Sequence, residues 1–114
     1  MVQTIVIENQ TAKRANVIAQ RTGSIELGIM KSLMIALLKE KMYNGIAHFS
    51  YLKKSKNGEK PEVREAWGTL QTALVRAKTN GKGYNKEVDN VVAYFDIEKG
   101  AWRSFRYENL IQVF

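Results

Sequence analysis

The chain contains no cysteine, one proline and one histidine. Without cysteine it can form neither a disulfide framework nor a thiolate nucleophile. Because His48 is its one imidazole, a zinc site built from cysteine and histidine is excluded, and we assign no metal and no cofactor. A lone histidine in an alternating segment is more often a packed residue than a catalyst.

Other catalytic patterns are also lacking. Asp89 and Asp96 have no second carboxylate at a spacing that would indicate acid–base catalysis. The nucleophile-elbow and EF-hand motifs are absent. The segment NGKGYNK (80–86) is glycine-rich and basic, but it does not match the phosphate-loop pattern. It remains either a flexible connection or a loop that offers backbone N–H groups to a phosphate. We therefore expect a protein that is not an enzyme.

Long apolar runs are missing too. The longest, LMIALL (33–38), is far shorter than the roughly 20 residues that a membrane-spanning helix needs. The opening MVQTIVIEN has no basic segment before an apolar run, so we expect no secretory signal. The composition therefore predicts a soluble cytoplasmic protein that does not bind membranes.

Positive charge is what the chain has in excess. The net charge is +7, and residues 53–86 hold nine basic and three acidic residues, which is +6 of that total. A local basic field attracts polyanions such as nucleic acid, nucleotides or acidic protein surfaces. A solubilising surface with basic loop tips explains the same pattern, and the composition does not choose between them.

The first half of the chain predicts helices. Residues 1–23 read as an extension with a short strand (2–8) and a short helix (9–23), followed by one domain over 24–114. In the segment 24–45, Ser24 suits the N-cap and Asn44-Gly45 the end. This helix is apolar on more than one side, which predicts either cover by the N-terminal segment or a subunit contact.

After Gly45 the apolar period changes from 3.6 to 2. Strands are predicted over 45–54, 61–71, 88–98 and 101–107, with a last short strand at IQVF. Asn57-Gly58 is a strong hairpin signal, and a long basic loop with one helical turn follows Gln71. The predicted fold is mainly β, with an apolar N-terminal helix before a small five-stranded SH3-like or Sm-like barrel.

Two segments of the β part carry a recognisable pattern of residues. In the first segment the pattern falls on Phe49, Tyr51, Lys53, Gly58, Arg64, Gly68, Thr69 and Leu70. In the second, YFDIEKGAWRSFRYENLI, it falls on Tyr94, Asp96, Trp102, Arg103, Ser104, Phe105, Arg106, Asn109, Leu110 and Ile111. Both segments resemble a known family of small phage and bacterial proteins, described as WYL-like with an Sm-like SH3-barrel fold. The resemblance covers about residues 43–114 and implies the fold more than a function. If the protein is phage-encoded, the host cytoplasm is its expected location.

The segment AWRSFRY places a tryptophan and two arginines on one strand. If Phe105 is buried, Trp102 and Arg106 point outward, where a ring and a guanidinium can stack a base and hold a phosphate. The alternative is that one arginine, Arg103, pairs with Asp96 across the turn. The predicted ligand-binding residues are Trp102, Arg103, Arg106, Lys53, Lys54, Lys56, Arg76, Lys78, Lys82, Tyr84 and Lys86.

Two functions follow from these features. One is a barrel that binds nucleic acid or a nucleotide through the basic loops and the aromatic–arginine strand. The other is a protein-interaction module that inhibits or recruits a host factor, such as a defence system, or that self-associates through the helix at 24–43.

Overall fold

The computed structural model describes residues 9–53, 60–78 and 90–114. The predicted strand at 2–8, the Asn57-Gly58 turn and the loop at 80–86 lie outside the described residues. The helices and strands are, in chain order, α1 (Asn9–Thr22), α2 (Ile25–Tyr43), β1 (Ile46–Lys53), β2 (Glu62–Thr69), α3 (Thr72–Lys78), β3 (Val91–Asp96), β4 (Ala101–Arg106), a 3₁₀ turn (Tyr107–Asn109) and β5 (Leu110–Val113).

The two long helices form a closely packed hairpin. Gly23 ends α1 with a left-handed φ of +74°, and the Ser24 side chain caps α2 by accepting a hydrogen bond from the Leu27 N–H at 3.1 Å. At Gly28 the helices approach so closely that a Cβ would lie 2.5 Å from the carbonyl oxygen of Ala15. The N-terminal segment therefore covers one side of α2. No helix among the described residues is long and apolar enough to cross a membrane.

The five strands form one antiparallel sheet in the order β4-β3-β2-β1-β5. On β1 and β2, Lys53 lies opposite Glu62 and Ile46 opposite Thr69. This register is centred between positions 57 and 58, where the sequence predicts the turn. The prediction of a five-stranded antiparallel sheet after an apolar helix is confirmed.

The core lies between the inner face of the sheet and the buried side of α2. Aromatic rings from three strands pack on one another there: Phe49, Tyr51, Tyr94 and Phe105. Ile35, Leu38 and Met42 of α2 and Ile18 of α1 belong to the same cluster. Burying these side chains supplies the main stabilisation of the fold.

Polar contacts also tie the helical hairpin to the end of the sheet. Arg21 donates a hydrogen bond to the Glu108 carboxylate at 2.8 Å, and Lys31 donates to the Glu108 carbonyl oxygen at 2.6 Å. Partial burial lowers the pKa of Lys31, and the nearby Glu108 charge opposes that shift. These contacts hold both helices against the 3₁₀ turn that precedes β5.

Candidate ligand-binding surfaces

A cluster of tyrosine and arginine side chains lies on the inner face of the sheet. The hydroxyl groups of Tyr51 and Tyr94 are 2.6 Å apart, and Arg64 donates a hydrogen bond to the Tyr51 hydroxyl at 3.4 Å. The pairing of Tyr51 with Arg64 in the β1–β2 register brings these groups together. Burial raises the pKa of Tyr94 far above its ordinary value, with the hydrogen bond to Tyr51 as the next cause. The cluster therefore places two phenol hydroxyls beside a cation.

The buried carboxylate of Asp96 interacts electrostatically with two guanidinium groups, those of Arg103 and Arg64. Arg103 Nε lies 3.6 Å from Asp96 Oδ2, and Asp96 is 5% exposed. The pKa of Arg64 is raised first by its hydrogen bond to Tyr51, and Asp96 contributes to that rise. The structural role expected for Arg103 is present. The pair is diagonal, because the register places Ala101 opposite Asp96.

Arg64 retains donors for a ligand. Within the described part of the chain it makes one hydrogen bond, the long one to Tyr51, whereas a guanidinium carries five N–H donors. Lys53 extends from the same face of β1 as Tyr51, at the end of the strand. A phosphate or carboxylate oxygen that reached Arg64 would meet a fixed cation with unused hydrogen-bonding capacity.

The two residues predicted to point outward from β4, Trp102 and Arg106, differ in their exposure. Arg106 is exposed, but Trp102 is half-buried and packs edge-on against Phe95, with ring centroids 5.8 Å apart. Phe95 lies directly opposite Trp102 in the register, so the indole fills the space over its neighbour. Trp102 is therefore less exposed than Arg106, and its role in stacking a base stays a prediction. Phe105 is buried, as expected.

The remaining predicted ligand residues are spread along the chain. Arg76 is exposed on α3, Lys78 ends that helix, and Lys53 is half-buried. Five of the predicted residues lie outside the described parts: Lys54, Lys56, Lys82, Tyr84 and Lys86. Among the predicted ligand residues, Arg103 is the one that the strand register places opposite Tyr94 of the tyrosine–arginine cluster.

A second surface is apolar and lies on α2. Ile25 is 74% exposed, and Ile29, Met30, Leu33 and Leu37 are each about half exposed. Four of these side chains recur every fourth residue, so they form one continuous ridge along the helix. We call Ile25, Ile29, Leu33 and Leu37 the α2 ridge. Their spacing is visible in the sequence, but the sequence did not show which side of α2 remained uncovered.

Three stacked rings cross the outer face of the sheet beside this ridge. His48 lies between Trp67, at 4.1 Å and 5° between ring planes, and Phe114, at 4.3 Å and 24°. Its Nε2 also contacts the Glu65 carboxylate. A groove of about 730 Å³ adjoins this stack and reaches Leu37 of the ridge. The packing of His48 between Trp67 and Phe114 was not identified from the sequence, because Trp67 lies on β2 and Phe114 directly follows β5.

A bent antiparallel sheet in which β1 pairs with both β2 and β5 has the strand order of a small SH3-like barrel. The WYL_2 family, described as having an Sm-like SH3 β-barrel fold, matches residues 35–111. Because this is more than half of the chain, the protein belongs to that family, as the resemblance implied. The match begins inside α2, upstream of position 43. Comparisons with curated proteins and with solved structures each returned no match.

Proposed function

We propose that the protein is a non-enzymatic binding protein whose barrel holds nucleic acid or a nucleotide through its phosphates. The observation that carries this proposal is Arg64, a guanidinium anchored by one long hydrogen bond to Tyr51 and otherwise free to take a ligand among the described residues. Planar guanidinium groups bind phosphate with two parallel hydrogen bonds, and the low-polarity wall of the tyrosine pair strengthens such bonds.

The distribution of charge supports an anionic ligand. Most of the +7 net charge falls in residues 53–86, and Arg64 lies within that window. The charge of Arg103 is partly offset by Asp96, with which it forms an ion pair through Nε, so we assign Arg64 the main contact. Arg106 and Arg76 are exposed and can add weaker contacts to a longer strand. Because Trp102 is half-buried against Phe95, recognition by phosphate contacts is favoured over base stacking.

Binding of a fluorescent single-stranded oligonucleotide, measured by anisotropy at several salt concentrations, tests this function. We expect affinity to fall steeply with salt, because each neutralised phosphate releases counterions. Arg64→Gln should weaken binding about tenfold, the worth of one charge-assisted contact. It should also make the logarithmic salt slope shallower by about 0.7, the share of one contact to a single strand.

Two variants control for the loss of one charge and for the hydrogen bond that holds Arg64. Lys13→Gln removes one positive charge from an exposed position of α1, and it should change affinity less than twofold. Tyr51→Phe removes the hydroxyl that anchors Arg64 but keeps the cation, so its effect should be smaller than that of Arg64→Gln. If no oligonucleotide or nucleotide binds at low salt, or if Lys13→Gln weakens binding as much as Arg64→Gln, this function is wrong.

The α2 ridge favours a second candidate function, a protein-interaction module that recruits or inhibits a host factor. Exposed apolar side chains concentrated on one helix face are typical of protein interfaces. On this hypothesis a stoichiometric protein partner co-purifies with the wild type and is lost from a folded Leu33→Glu variant. A wild-type protein that is strictly monomeric and has no partner would overturn it.

A further inference from the structure

We infer that the α2 ridge joins two copies of this chain in an antiparallel, two-fold dimer centred near Leu33. This inference gives the ridge a different occupant from the second candidate function, a second copy of the chain in place of a host factor, and it rests on the exposure of the ridge. It is independent of the phosphate contact at Arg64, which lies on the inner face of the sheet.

The ridge is self-complementary in its spacing. Ile29 and Leu37 each lie four residues from Leu33, so a two-fold axis at Leu33 places Ile29 of one copy against Leu37 of the other. Rows of side chains spaced by four residues pack into each other at a crossing angle near −50°, the most common class of helix packing. A two-fold interface uses the same patch on both subunits, which is the arrangement that this spacing supports.

The exposed charged side chains of α2 lie at the two ends of the ridge and do not interrupt it. Between Glu26 and Glu40, every exposed side chain of α2 is apolar, over a length of about 20 Å. Lys31 lies outside this face because it donates to the Glu108 carbonyl oxygen. In the antiparallel arrangement the first turn of one α2 lies toward the last turn of the other, where an axis at Leu33 places Glu26 opposite Glu40, next to Lys41. The dipoles of the two α2 helices then point in opposite directions, so the positive end of each lies near the negative end of the other.

The available area suits a dimer. The groove beside His48 shares Leu37 with the ridge, so the apolar surface continues from α2 onto β1 and β5. Its exposed members are Ile25, Ile29, Met30, Leu33, Leu37, Ile46 and Phe114. With about 100 Å² from each half-exposed side chain, they present roughly 700 Å², close to the ~800 Å² per partner of a standard interface.

The ridge is also held in a fixed position. The opposite side of α2 is anchored by α1 at Gly28 and by Ile35, Leu38 and Met42 in the barrel core. A helix fixed on two sides presents its third side without the entropic cost of ordering a mobile segment on binding. This arrangement favours a stable contact between folded copies.

Light scattering coupled to size exclusion, over a wide range of protein concentration, tests the dimer. The wild type should show twice the 13.0 kDa chain mass. Leu33→Glu should halve the apparent mass, because each copy would bury a charge against its symmetry mate. Val63→Glu places the same charge on an equally apolar but separate site of β2, 63% exposed, and should remain a dimer.

A cysteine variant tests the position of the two-fold axis. The chain has no cysteine, so Leu33→Cys introduces the one thiol of the protein. At a crossing centred on residue 33, the two Cα atoms approach within disulfide distance, about 4.4–6.8 Å. Mild oxidation should therefore give a covalent dimer of Leu33→Cys and none of Val63→Cys.

Three outcomes separate the proposals. A wild type that is monomeric at every concentration overturns the dimer, whereas a different protein bound at the ridge would keep the second candidate function. A dimer that persists unchanged in folded Leu33→Glu also overturns the inference, because another surface would then hold it. Oligonucleotide binding that survives in a monomeric Leu33→Glu leaves the phosphate proposal standing on its own.

Discussion

Gly68 shows how one residue sets the packing of the barrel. A Cβ at this position would lie 2.6 Å from Cδ2 of the Tyr94 ring and 3.0 Å from Cε1 of Phe49. Both rings are fully buried, so neither can move without disturbing the core. We expect Gly68→Ala to lower the free energy of unfolding by about 1–3 kcal/mol, the usual cost of overpacking. Urea unfolding followed by circular dichroism measures this change.

Gly45→Ala is the matched control for that prediction. A Cβ at Gly45 would meet no atom within 4 Å, and its φ is not in the left-handed region. Its free energy of unfolding should change by less than about 1 kcal/mol, with the lower entropy of the unfolded chain favouring alanine. Equal losses for the two variants would show that steric crowding against Tyr94 is not the cause.

Tyr94 is expected to make stability fall at alkaline pH. Burial raises the pKa of its phenol, whereas in the unfolded chain the group ionises near pH 10. Above that pH the unfolded state therefore holds fewer protons than the native state, so stability drops by up to about 1.4 kcal/mol per pH unit from this group. The groups facing Tyr94 include Tyr51, Arg64 and Asp96.

Tyr94→Phe cannot ionise and isolates this contribution. We expect this substitution to lower the free energy of unfolding by about 1 kcal/mol at neutral pH, because the Tyr51 hydroxyl loses its hydrogen-bond partner. Its urea-unfolding free energy should then fall less steeply than that of the wild type between about pH 9 and pH 11. Parallel pH profiles for the two proteins would contradict the assignment of the alkaline loss to Tyr94.

At the scale of elements, local signals predicted the helices and strands well. The change from a 3.6 to a 2.0 period at Gly45 marks the end of α2 and the start of β1, and Ser24 caps α2 as its position indicated. Alternation along β1 also places Phe49 and Tyr51 on one face of the strand, and the structure shows that both are buried. Each of them depends on neighbours in sequence, so a reading along the chain captures them.

Contacts between elements were less predictable. Symmetry about Lys99-Gly100 suggested that Asp96 and Arg103 were direct partners, but the turn shifts the register by two residues and makes them diagonal. The indole of Trp102 lies on the face opposite the buried Phe105, as alternation predicted, but the sequence did not show that it would be half-buried against Phe95. Such details depend on turn geometry and on side chains from other strands, which one-dimensional periodicity does not contain.

The uncovered side of α2 is a similar case. Its apolar residues were evident, and cover by the N-terminal segment or a subunit contact were both expected. The structure shows that α1 covers one side, at Gly28, while the ridge from Ile25 to Leu37 stays exposed. A hydrophobic pattern alone identifies how many sides of a helix are apolar, but the packing of neighbouring elements decides which one remains for a partner.

For the whole molecule, Arg64 and the apolar ridge lie on different elements, β2 and α2, so the two proposals can act together. A dimer through α2 would carry two barrels and twice the net charge of +7. A polyanion long enough to contact both barrels gains affinity through effective concentration, whereas a short one does not. The length dependence of nucleic-acid binding therefore reports on the assembly.

We expect the wild type to bind a single strand of about 30 nucleotides at least tenfold more tightly than one of about 8 nucleotides, beyond the gain from the larger number of overlapping sites. In Leu33→Glu this excess should disappear, because each monomer offers one barrel, while affinity for the short strand stays unchanged. Val63→Glu should keep the excess. Anisotropy titrations at one fixed salt concentration give all six affinities. An identical length dependence in wild type and Leu33→Glu would mean that the two barrels do not share one strand, since only the linkage through the α2 ridge distinguishes the two proteins.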